Sequence, residues 1–270
     1  DFPIYIDGTF YYDSDFVLRL TNTEVGLIGT IETRIGKDAI ESSRTTPEAT
    51  DLQSMAATMR ERHMRHLVME VSSHALSMGR MKGSHSAIAA FTNLSQDHLD
   101  FHNDMESYFA AKASLFTLEY ADQAFINIDD PYGLRLFTEC SIPAVSLSRN
   151  NAKATWHYTS ITPASRGTTF TVRGSGGILI ESSTPLRGDF NLDNLLLTLA
   201  IAVECGIDPL DCAAIVPHLY GAPGRMEAID CGQDFAALVD YAHTPDAVSN
   251  VLSTARGFTS GKVIALLGCG

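Results

Sequence analysis

The sequence predicts an α/β protein in which helices flank a mainly parallel sheet. Three observations support this fold class. From residue 24 onward strand-like and helix-like segments alternate, several strand-like segments are continuous apolar runs such as VGLIGT and HLVMEVS, and polar residues follow at their carboxyl ends. A small antiparallel β section and the start of a Rossmann-like C-terminal domain are expected after this core.

The first half of the chain shows three buried-type strands, at residues 24–30, 66–72 and 87–94. Residues 1–20 are aromatic and acidic without a clear period. Thr46 is expected to cap a helix that has Pro47 at its first position and runs to about residue 62. In open parallel sheets, ligands bind at the carboxyl ends of the strands.

The second half begins with a helix that starts at Asn103 or Asp104, followed by the strand QAFINIDD. Residues 154–190 predict short antiparallel strands, because Gly, Ser and Pro separate β-prone runs. Helices at 190–205 and 209–219 precede a Pro-Gly segment, after which strand, helix and strand follow, the last being KVIALLGCG. We therefore divide the chain into a lead-in remnant (1–20), a central domain (21–223) and the beginning of a C-terminal domain (224–270).

The charge and the cysteines limit the classes of partner. The 270 residues carry a formal charge of -13, which argues against nucleic acid, so an anionic ligand has to be held locally by helix N-termini and arginines. Five cysteines without a CxxC pair predict a reduced, cytoplasmic setting. We see no signal peptide and no long apolar run, so neither secretion nor membrane spanning is expected.

Reactive side chains are densest in TNLSQDHLDFHNDMESYFAAKASLF, residues 92–116. Lys112 lies there among small and apolar neighbours. If the helix packs inward, burial favours the uncharged amine, and CO₂ could convert it to a carbamate that binds a hard metal ion. The alternative is a lysine that extends to solvent. The face expected to pack inward carries Tyr108, Phe109, Leu115 and Phe116.

The strings FTNLSQDHLDFH and AAKASLF, with EVSSHAL and RTTPEA before them, resemble the central domain of the Mur ligases, the ATP-dependent amide-forming enzymes of peptidoglycan synthesis. The resemblance implies that the terminal carboxylate of UDP-N-acetylmuramoyl-L-alanyl-D-glutamate is phosphorylated by ATP. The amine of a free diamino acid, meso-diaminopimelate or L-lysine, then attacks the acyl phosphate. The residues that choose between them are expected beyond Gly270, and the sequence leaves the oligomeric state open.

By the same resemblance, Glu70, His98 and carbamylated Lys112 bind Mg²⁺ and form the catalytic group. Oxygen ligands beside a substrate phosphate suit this ion. A structural ion pair is the alternative for Glu70. Zinc on the two histidines of HLDFH is a minor alternative, because neither the Glu of HExxH nor a nearby cysteine is present.

The resemblance also implies that Thr45, Thr46, Ser72 and Arg80 hold the UDP-muramoyl dipeptide. Plain helix capping is the alternative for the two threonines and is compatible with anion binding. Met78 stands where some family members have Gln, which puts that contact in doubt. The Ser-Ser-His string does not predict a serine hydrolase, since the GxSxG elbow is absent.

For ATP, the resemblance implies adenine-side contacts from Asn191 and Asn194 and further nucleotide contacts from Arg225 and Asp240. Helix caps and a surface arginine are the alternatives. No GxxxxGK[ST] loop occurs anywhere in the sequence. Either a segment is missing after Leu20 or the protein cannot hold ATP in the usual way; we expect the former, because the downstream motifs are intact.

Two other functions remain open at this point. Folylpolyglutamate synthetase shares the ATPase core and the lysine carbamate, although TTPEA and EVSSHAL favour the muramyl-peptide branch. The chain could also be a non-catalytic piece that binds only the nucleotide sugar.

Overall fold

The structure is a computed structural model that describes residues 3–6, 24–164, 167–186, 188–220, 224, 226–229, 231–243, 245–257 and 259–268. The strands are β1 (Pro3–Ile6), β2 (Val25–Ile28), β3 (Glu32–Ile35), β4 (Asp38–Glu41), β5 (His66–Glu70), β6 (Ser86–Phe91), β7 (Ala121–Asn127), β8 (Ala144–Ser148), β9 (Trp156–Ala164), β10 (Gly167–Arg173), β11 (Leu179–Thr184), β12 (Glu227–Ile229) and β13 (Ala237–Val239). The helices are α1 (Ala49–Glu61), α2 (Ser73–Ser77), α3 (Met105–Ala113), α4 (Pro131–Glu139), α5 (Asp189–Glu204), α6 (Pro209–Ile215) and α7 (Pro245–Gly257).

In the described part of the chain, eleven strands form one sheet in the order β11-β10-β9-β8-β7-β6-β1-β5-β2-β3-β4. Its centre, from β9 to β2, is parallel. Both flanks are antiparallel: β9, β10 and β11 on one side and β2, β3 and β4 on the other. The expected α/β fold with a small antiparallel section is therefore confirmed, and the β3–β4 hairpin is an addition that we did not predict.

The central strands separate two apolar clusters, because successive side chains of a strand point to opposite faces. In β6, Ile88 and Ala90 belong to one cluster, while Ala89 and Phe91 belong to the other. Helix α5 covers the first face, and α1, α3 and α4 cover the second. A sheet buried on both faces needs strands that are apolar throughout, which explains runs such as HLVME.

Three helices begin where an aspartate side chain accepts a backbone N–H, namely at Asp104, Asp130 and Asp208. The expected start at Thr46 is wrong. Helix α1 begins at Ala49, and its N-cap, Glu48, makes no side-chain capping bond. The Thr46 side chain is instead engaged with the strand β5, as described below.

The predicted last strand, KVIALLGCG, is also wrong for the residues that can be described, because residues 262–268 form no regular structure. Ile264 and Leu266 are 88% and 98% exposed. A strand exists through hydrogen bonds to neighbouring strands, and the described residues supply none here. No helix in the described ranges combines the length and apolarity needed to cross a bilayer.

Gly133 allows α4 to pack closely on the end of β7. A Cβ at this position would lie 1.9 Å from the carbonyl oxygen of Asn127. Gly133→Ala must therefore displace the helix, and we expect it to lower the free energy of unfolding by about 1–3 kcal/mol in urea titrations. Gly257→Ala is the control, since its Cβ meets nothing within 4 Å. Equal stability of the two variants would contradict this packing.

His85 predicts a pH dependence of stability. Its Nδ1 faces the Glu119 carbonyl at 3.2 Å and its Nε2 faces a carboxylate oxygen of Asp122 at 2.9 Å. Both nitrogens must donate, which favours the imidazolium, so the Asp122 and Glu119 hydrogen bonds raise the pKa of His85. Stabilisation is complete below the unfolded pKa of about 6.5 and is lost as pH rises through the raised value.

We expect His85→Gln to destabilise the protein at about pH 5.5 and to have little effect at about pH 8.5. The side chain is 45% exposed, so solvent limits the difference to about 1 kcal/mol. Urea denaturation of both proteins at the two pH values measures it. A loss that is the same at both values would show that the charge of His85 does not contribute.

Candidate functional site

Glu70 occupies the carboxyl end of β5, next to the end of β2. One of its carboxylate oxygens accepts two hydrogen bonds from Thr30, from the backbone N–H at 3.1 Å and from the hydroxyl at 2.7 Å. The Thr30 hydroxyl also lies 2.9 Å from that of Thr45. Two donors on one oxygen fix the carboxylate in place, so Glu70 is presented at the sheet edge in a set orientation.

Thr46 joins the end of β5 to the start of α2. Its hydroxyl donates to the Glu70 carbonyl at 3.0 Å and accepts from the Ser72 N–H at 3.0 Å. The side chain is fully buried. Ser72 in turn caps α2 by accepting from Ala75 N–H. The hydroxyl thus satisfies two backbone groups where the strand ends and the chain turns.

Arg80 reaches the same segment from the far end of α2. Its Nη1 donates to the Thr46 carbonyl at 3.3 Å, and its Nη2 lies 3.1 Å from a carboxylate oxygen of Glu48. Glu48 also pairs with Arg44. Two arginines around one partly exposed carboxylate leave positive charge beside Thr46 and Ser72, which suits an anionic ligand.

Lys112 lies in the last turn of α3 and is only 8% exposed. Its Nζ lies over the Tyr108 ring, 5.4 Å from the centroid, which is within the range of a cation–π contact. Tyr108 and Phe109 are buried on the same helix, as are Leu115 and Phe116 just beyond it. The expected inward packing is confirmed, and the alternative of a lysine extended into solvent is wrong.

His98 faces Tyr108 from the preceding loop, with ring centroids 6.0 Å apart. Its backbone lies in the left-handed region at φ 54°, which costs on the order of 1–2 kcal/mol for a residue with a Cβ. The Asp97 carboxylate accepts the His98 N–H at 2.7 Å, and the His98 carbonyl accepts from Phe101 and His102. These bonds hold the backbone of His98 in a conformation that is locally unfavourable, and they thereby set the direction of its side chain.

His102, the second histidine of HLDFH, is buried and stacks on Tyr108 at 4.8 Å with an interplanar angle of 14°. Its Nε2 lies 2.9 Å from the Ser73 hydroxyl. Burial, and then the neighbouring His74, His98 and Lys112, lower its pKa. Burial and the charge of His98 likewise lower the pKa of His74. Both shifts favour the neutral form of the ring.

The structure brings the predicted metal and substrate residues into two adjoining groups. One contains Thr30, Thr45, Thr46, Glu70, Ser72 and Arg80. The other contains His98 and Lys112 on either side of Tyr108, with His102 and His74 beside them. They meet at the start of α2, where Ser72 belongs to the first group while Ser73 and His74 contact the second.

Nowhere among the described residues do three His, Cys, Asp or Glu side chains form a group that could hold a metal ion. A metal site built on Glu70 and His98 would need a further ligand. Lys112, if carbamylated, would add carboxylate-like oxygens, which together with those of Glu70 are the kind of ligand that Mg²⁺ prefers. The HLDFH pair is a poor zinc site, because His102 already stacks on Tyr108 and bonds to Ser73.

The residues predicted to contact the nucleotide lie elsewhere. Asn191, which is 7% exposed, and Asn194 are three residues apart in the first turns of α5, on one helix face. The Asp240 carboxylate accepts from the Met226 N–H at 2.7 Å and the Ala242 N–H at 2.8 Å. Arg225 lies outside the residues that the structure describes.

Sequence reasoning missed Thr30 and Tyr108 as members of the site, and it considered His102 only as a possible zinc ligand. Thr30 lies at the carboxyl end of a predicted buried strand, where ligand-binding residues are expected, but we considered this position only as part of a phosphate-binding loop. Tyr108 precedes Lys112 by four residues, a spacing that places both on one helix face. Nothing in the sequence indicated that His102 would bond to Ser73, which lies 29 residues earlier.

Two family models match the chain. The Mur ligase middle domain matches residues 14–202, and the Mur ligase glutamate ligase domain matches residues 224–270. The first match alone covers well over half of the 270 residues.

Similar proteins include two UDP-N-acetylmuramoyl-L-alanyl-D-glutamate--2,6-diaminopimelate ligases. The one from Streptomyces coelicolor is 47% identical over 251 residues, covering 93% of this chain and 50% of the relative. The one from Corynebacterium efficiens is 45% identical over 253 residues, covering 92% of this chain and 47% of the relative. The chain thus spans about half the length of these relatives.

A solved structure of a ligase of the same name superposes with a TM-score of 0.82 at 30% identity, covering 100% of this chain and 56% of the other. Mycobacterium tuberculosis folylpolyglutamate synthase, solved with ADP, shares the fold at a TM-score of 0.68 and 16% identity, covering 94% of this chain and 65% of the other. From the extent of the family match and the identity to these relatives, the chain belongs to the Mur ligase family.

Proposed function

We propose that the intact protein joins 2,6-diaminopimelate to UDP-N-acetylmuramoyl-L-alanyl-D-glutamate at the expense of ATP, as the names of its relatives state for them. The observation that carries the proposal is the buried Lys112, whose Nζ lies over the Tyr108 ring that His98 and His102 also contact. Structural packing alone does not call for a lysine at this place. An activity in peptidoglycan synthesis, and so in cell shape and division, agrees with the cytoplasmic setting expected from the cysteines.

In this proposal, the Lys112 amine adds CO₂ and loses a proton, giving a carbamate that orients the metal with Glu70 and His98. When bound, Mg²⁺ supplies positive charge next to the transferring phosphoryl group. Thr30 holds the Glu70 carboxylate in position. Lys112 as a carbamate acts as a ligand rather than as a base.

Thr45, Ser72 and Arg80 would hold the UDP-muramoyl peptide, and the buried Thr46 would contribute by fixing the turn between Glu70 and Ser72. The Arg80 guanidinium and the N-terminus of the segment that follows Ser72 favour negative charge there. The peptide carboxylate receives the phosphoryl group of ATP, and the amine of diaminopimelate then displaces phosphate to form the amide. Positioning and charge neutralisation are the main contributions that a protein makes to phosphoryl transfer.

Asn191 and Asn194 would contact the adenine side of ATP, with Arg225 and Asp240 contributing from the junction with the next domain. Asp240 accepts bonds from Met226 and Ala242, both of which follow this junction, and this supports a role in fixing the backbone just after it. We retain the division into 1–20, 21–223 and 224–270; the start of the second family match at residue 224 supports the last boundary.

The test uses the intact protein with ATP, Mg²⁺, UDP-N-acetylmuramoyl-L-alanyl-D-glutamate and an amino acid. We expect ADP and phosphate release to depend on both co-substrates, with meso-diaminopimelate preferred to L-lysine. Release that instead requires a folate would favour the folylpolyglutamate alternative. Binding of the UDP-peptide without ATP turnover would favour a non-catalytic role.

The carbamate is tested at Lys112. Lys112→Ala removes the proposed ligand, and we expect ligation to fall by at least about a hundredfold, the upper range for losing a metal contact. Lys112→Glu restores a carboxylate near the same place and is expected to retain more activity than alanine. High and equal activity of the wild type and the alanine variant would rule out the carbamate.

Thr30→Val removes the hydroxyl that donates to Glu70 and keeps the side-chain shape. We expect the Mg²⁺ concentration for half-maximal rate to rise by about tenfold, as for other groups that orient a metal ligand. Thr30→Ser keeps the hydroxyl and is the matched control. An unchanged Mg²⁺ requirement in the valine variant would show that the Thr30 hydroxyl does not serve the metal site.

A further inference from the structure

A charged cluster lies apart from the groups around Glu70 and Lys112, at the start of α5. The Arg149 guanidinium contacts two aspartates of that helix, with its Nε 2.9 Å from a carboxylate oxygen of Asp193 and its Nη1 3.0 Å from one of Asp189. The side chains of Arg149 and Asp193 are each 20% exposed, whereas that of Asp189 is 76% exposed. The Arg149–Asp193 pair is therefore the buried part of the cluster.

The backbone of Arg149 is fixed to the sheet. Its N–H donates to a carboxylate oxygen of Asp129 at 2.6 Å, and the hydroxyl of Ser148 donates to the other oxygen at 2.5 Å. Asp129 follows the end of β7, and Ser148 is the last residue of β8. Arg149 thus connects the carboxyl ends of two central strands to the first turns of α5.

The start of α5 has little local support of its own. Its N-cap is Gly188, at φ 91°, which offers no side chain to cap the free N–H groups. Asn191 and Leu192 donate their N–H groups to the Gly188 carbonyl, and the Tyr158 hydroxyl donates to the Leu192 carbonyl at 2.8 Å. A glycine start has wide conformational freedom, so contacts from outside the helix set the direction of its first turn.

The charges of this cluster fit a role in orienting the start of α5 better than a purely stabilising role. Burial raises the pKa of Asp193 to about 6, against the opposing effect of Arg149. Burying both charges is costly, and buried ion pairs are weak sources of stability. Asp189 and Asp193 lie one helical turn apart, and Asn191 and Asn194 lie within the same two turns. Fixing the two aspartates therefore also fixes the two asparagines.

We propose that Arg149 is a positioning residue of the nucleotide site, which anchors the start of α5 so that Asn191 and Asn194 meet the adenine nucleotide in a set orientation. The inference rests on the proposed function, which assigns ATP to these asparagines. Arg149 itself needs no contact with the nucleotide. It acts through the geometry of the helix start.

The test compares Arg149→Gln with the wild type in the intact protein. We expect the KM for ATP and the Kd for ADP by calorimetry to rise at least tenfold, while the KM for the UDP-muramoyl peptide stays within twofold. A merely structural defect would lower the active fraction, and with it kcat, without separating the two KM values. Thermal unfolding is measured in parallel.

Two further variants keep the test decisive. Arg149→Lys retains a cation that can pair with Asp193, and we expect an intermediate KM for ATP; it replaces the glutamine variant if that protein does not fold. Arg62→Gln removes another arginine that is paired with a carboxylate, that of Asp38 at 2.5 Å, and should leave both KM values unchanged.

The outcomes distinguish a failure of the Arg149 role from a failure of the proposed function. Suppose that the wild type binds ATP. The positioning role is then wrong, while the proposed function stands, if both Arg149 variants have the wild-type KM for ATP or if they raise the KM for ATP and the KM for the UDP-muramoyl peptide equally. If the wild type itself binds no adenine nucleotide, the proposed function fails and this inference fails with it.

Discussion

One hydroxyl group, that of Thr46, determines how the end of β5 is arranged. A strand that ends in the interior leaves backbone groups without the partners that the sheet provides, and such groups must be satisfied in another way. Thr46 bonds to the carbonyl of Glu70 and to the N–H of Ser72, on both sides of Val71. This bridge fixes the turn by which the chain leaves the sheet. The Glu70 carboxylate and the α2 N-terminus are therefore held in a fixed relative position.

The second group depends on aromatic surface. Tyr108 presents one contact to Lys112 and another, stacked, to His102. Burial favours the neutral imidazole at His102 and at His74, so the two rings pack near Tyr108 without repelling each other. The same packing buries Lys112 and holds its side chain over the Tyr108 ring. Aromatic packing therefore fixes the place at which the proposed carbamate would form.

Much of the fold could be predicted because its signals are local. Continuous apolar runs predicted several of the parallel strands, and the expected helix start at Asn103 or Asp104 agrees with the observed cap at Asp104, whereas the helix that follows Asp130 was not predicted. Glu70 and Lys112 were recognisable because charged residues in apolar surroundings are unusual. Thr46 was misassigned because Thr-Pro-Glu has the pattern of a helix start, while its actual partner, Glu70, lies 24 residues away.

The residues that could not be predicted share this non-local character. The bond between His102 and Ser73 and the contact of Arg149 with Asp193 join segments 29 and 44 residues apart, and nothing in either segment alone indicates its partner. Both contacts nevertheless serve one architectural need. Helices α3 and α5 cover opposite faces of the sheet. The groups that they carry can therefore have a set relative position only if both helices are fixed to the carboxyl ends of the central strands. Thr46 and Thr30 hold the β5 side of that edge, and Arg149, bonded to Asp129, holds the β7–β8 side. A rigid parallel sheet with anchored helices on both faces is therefore the physical basis on which the proposed peptide site and the proposed nucleotide site would be held in a fixed relation.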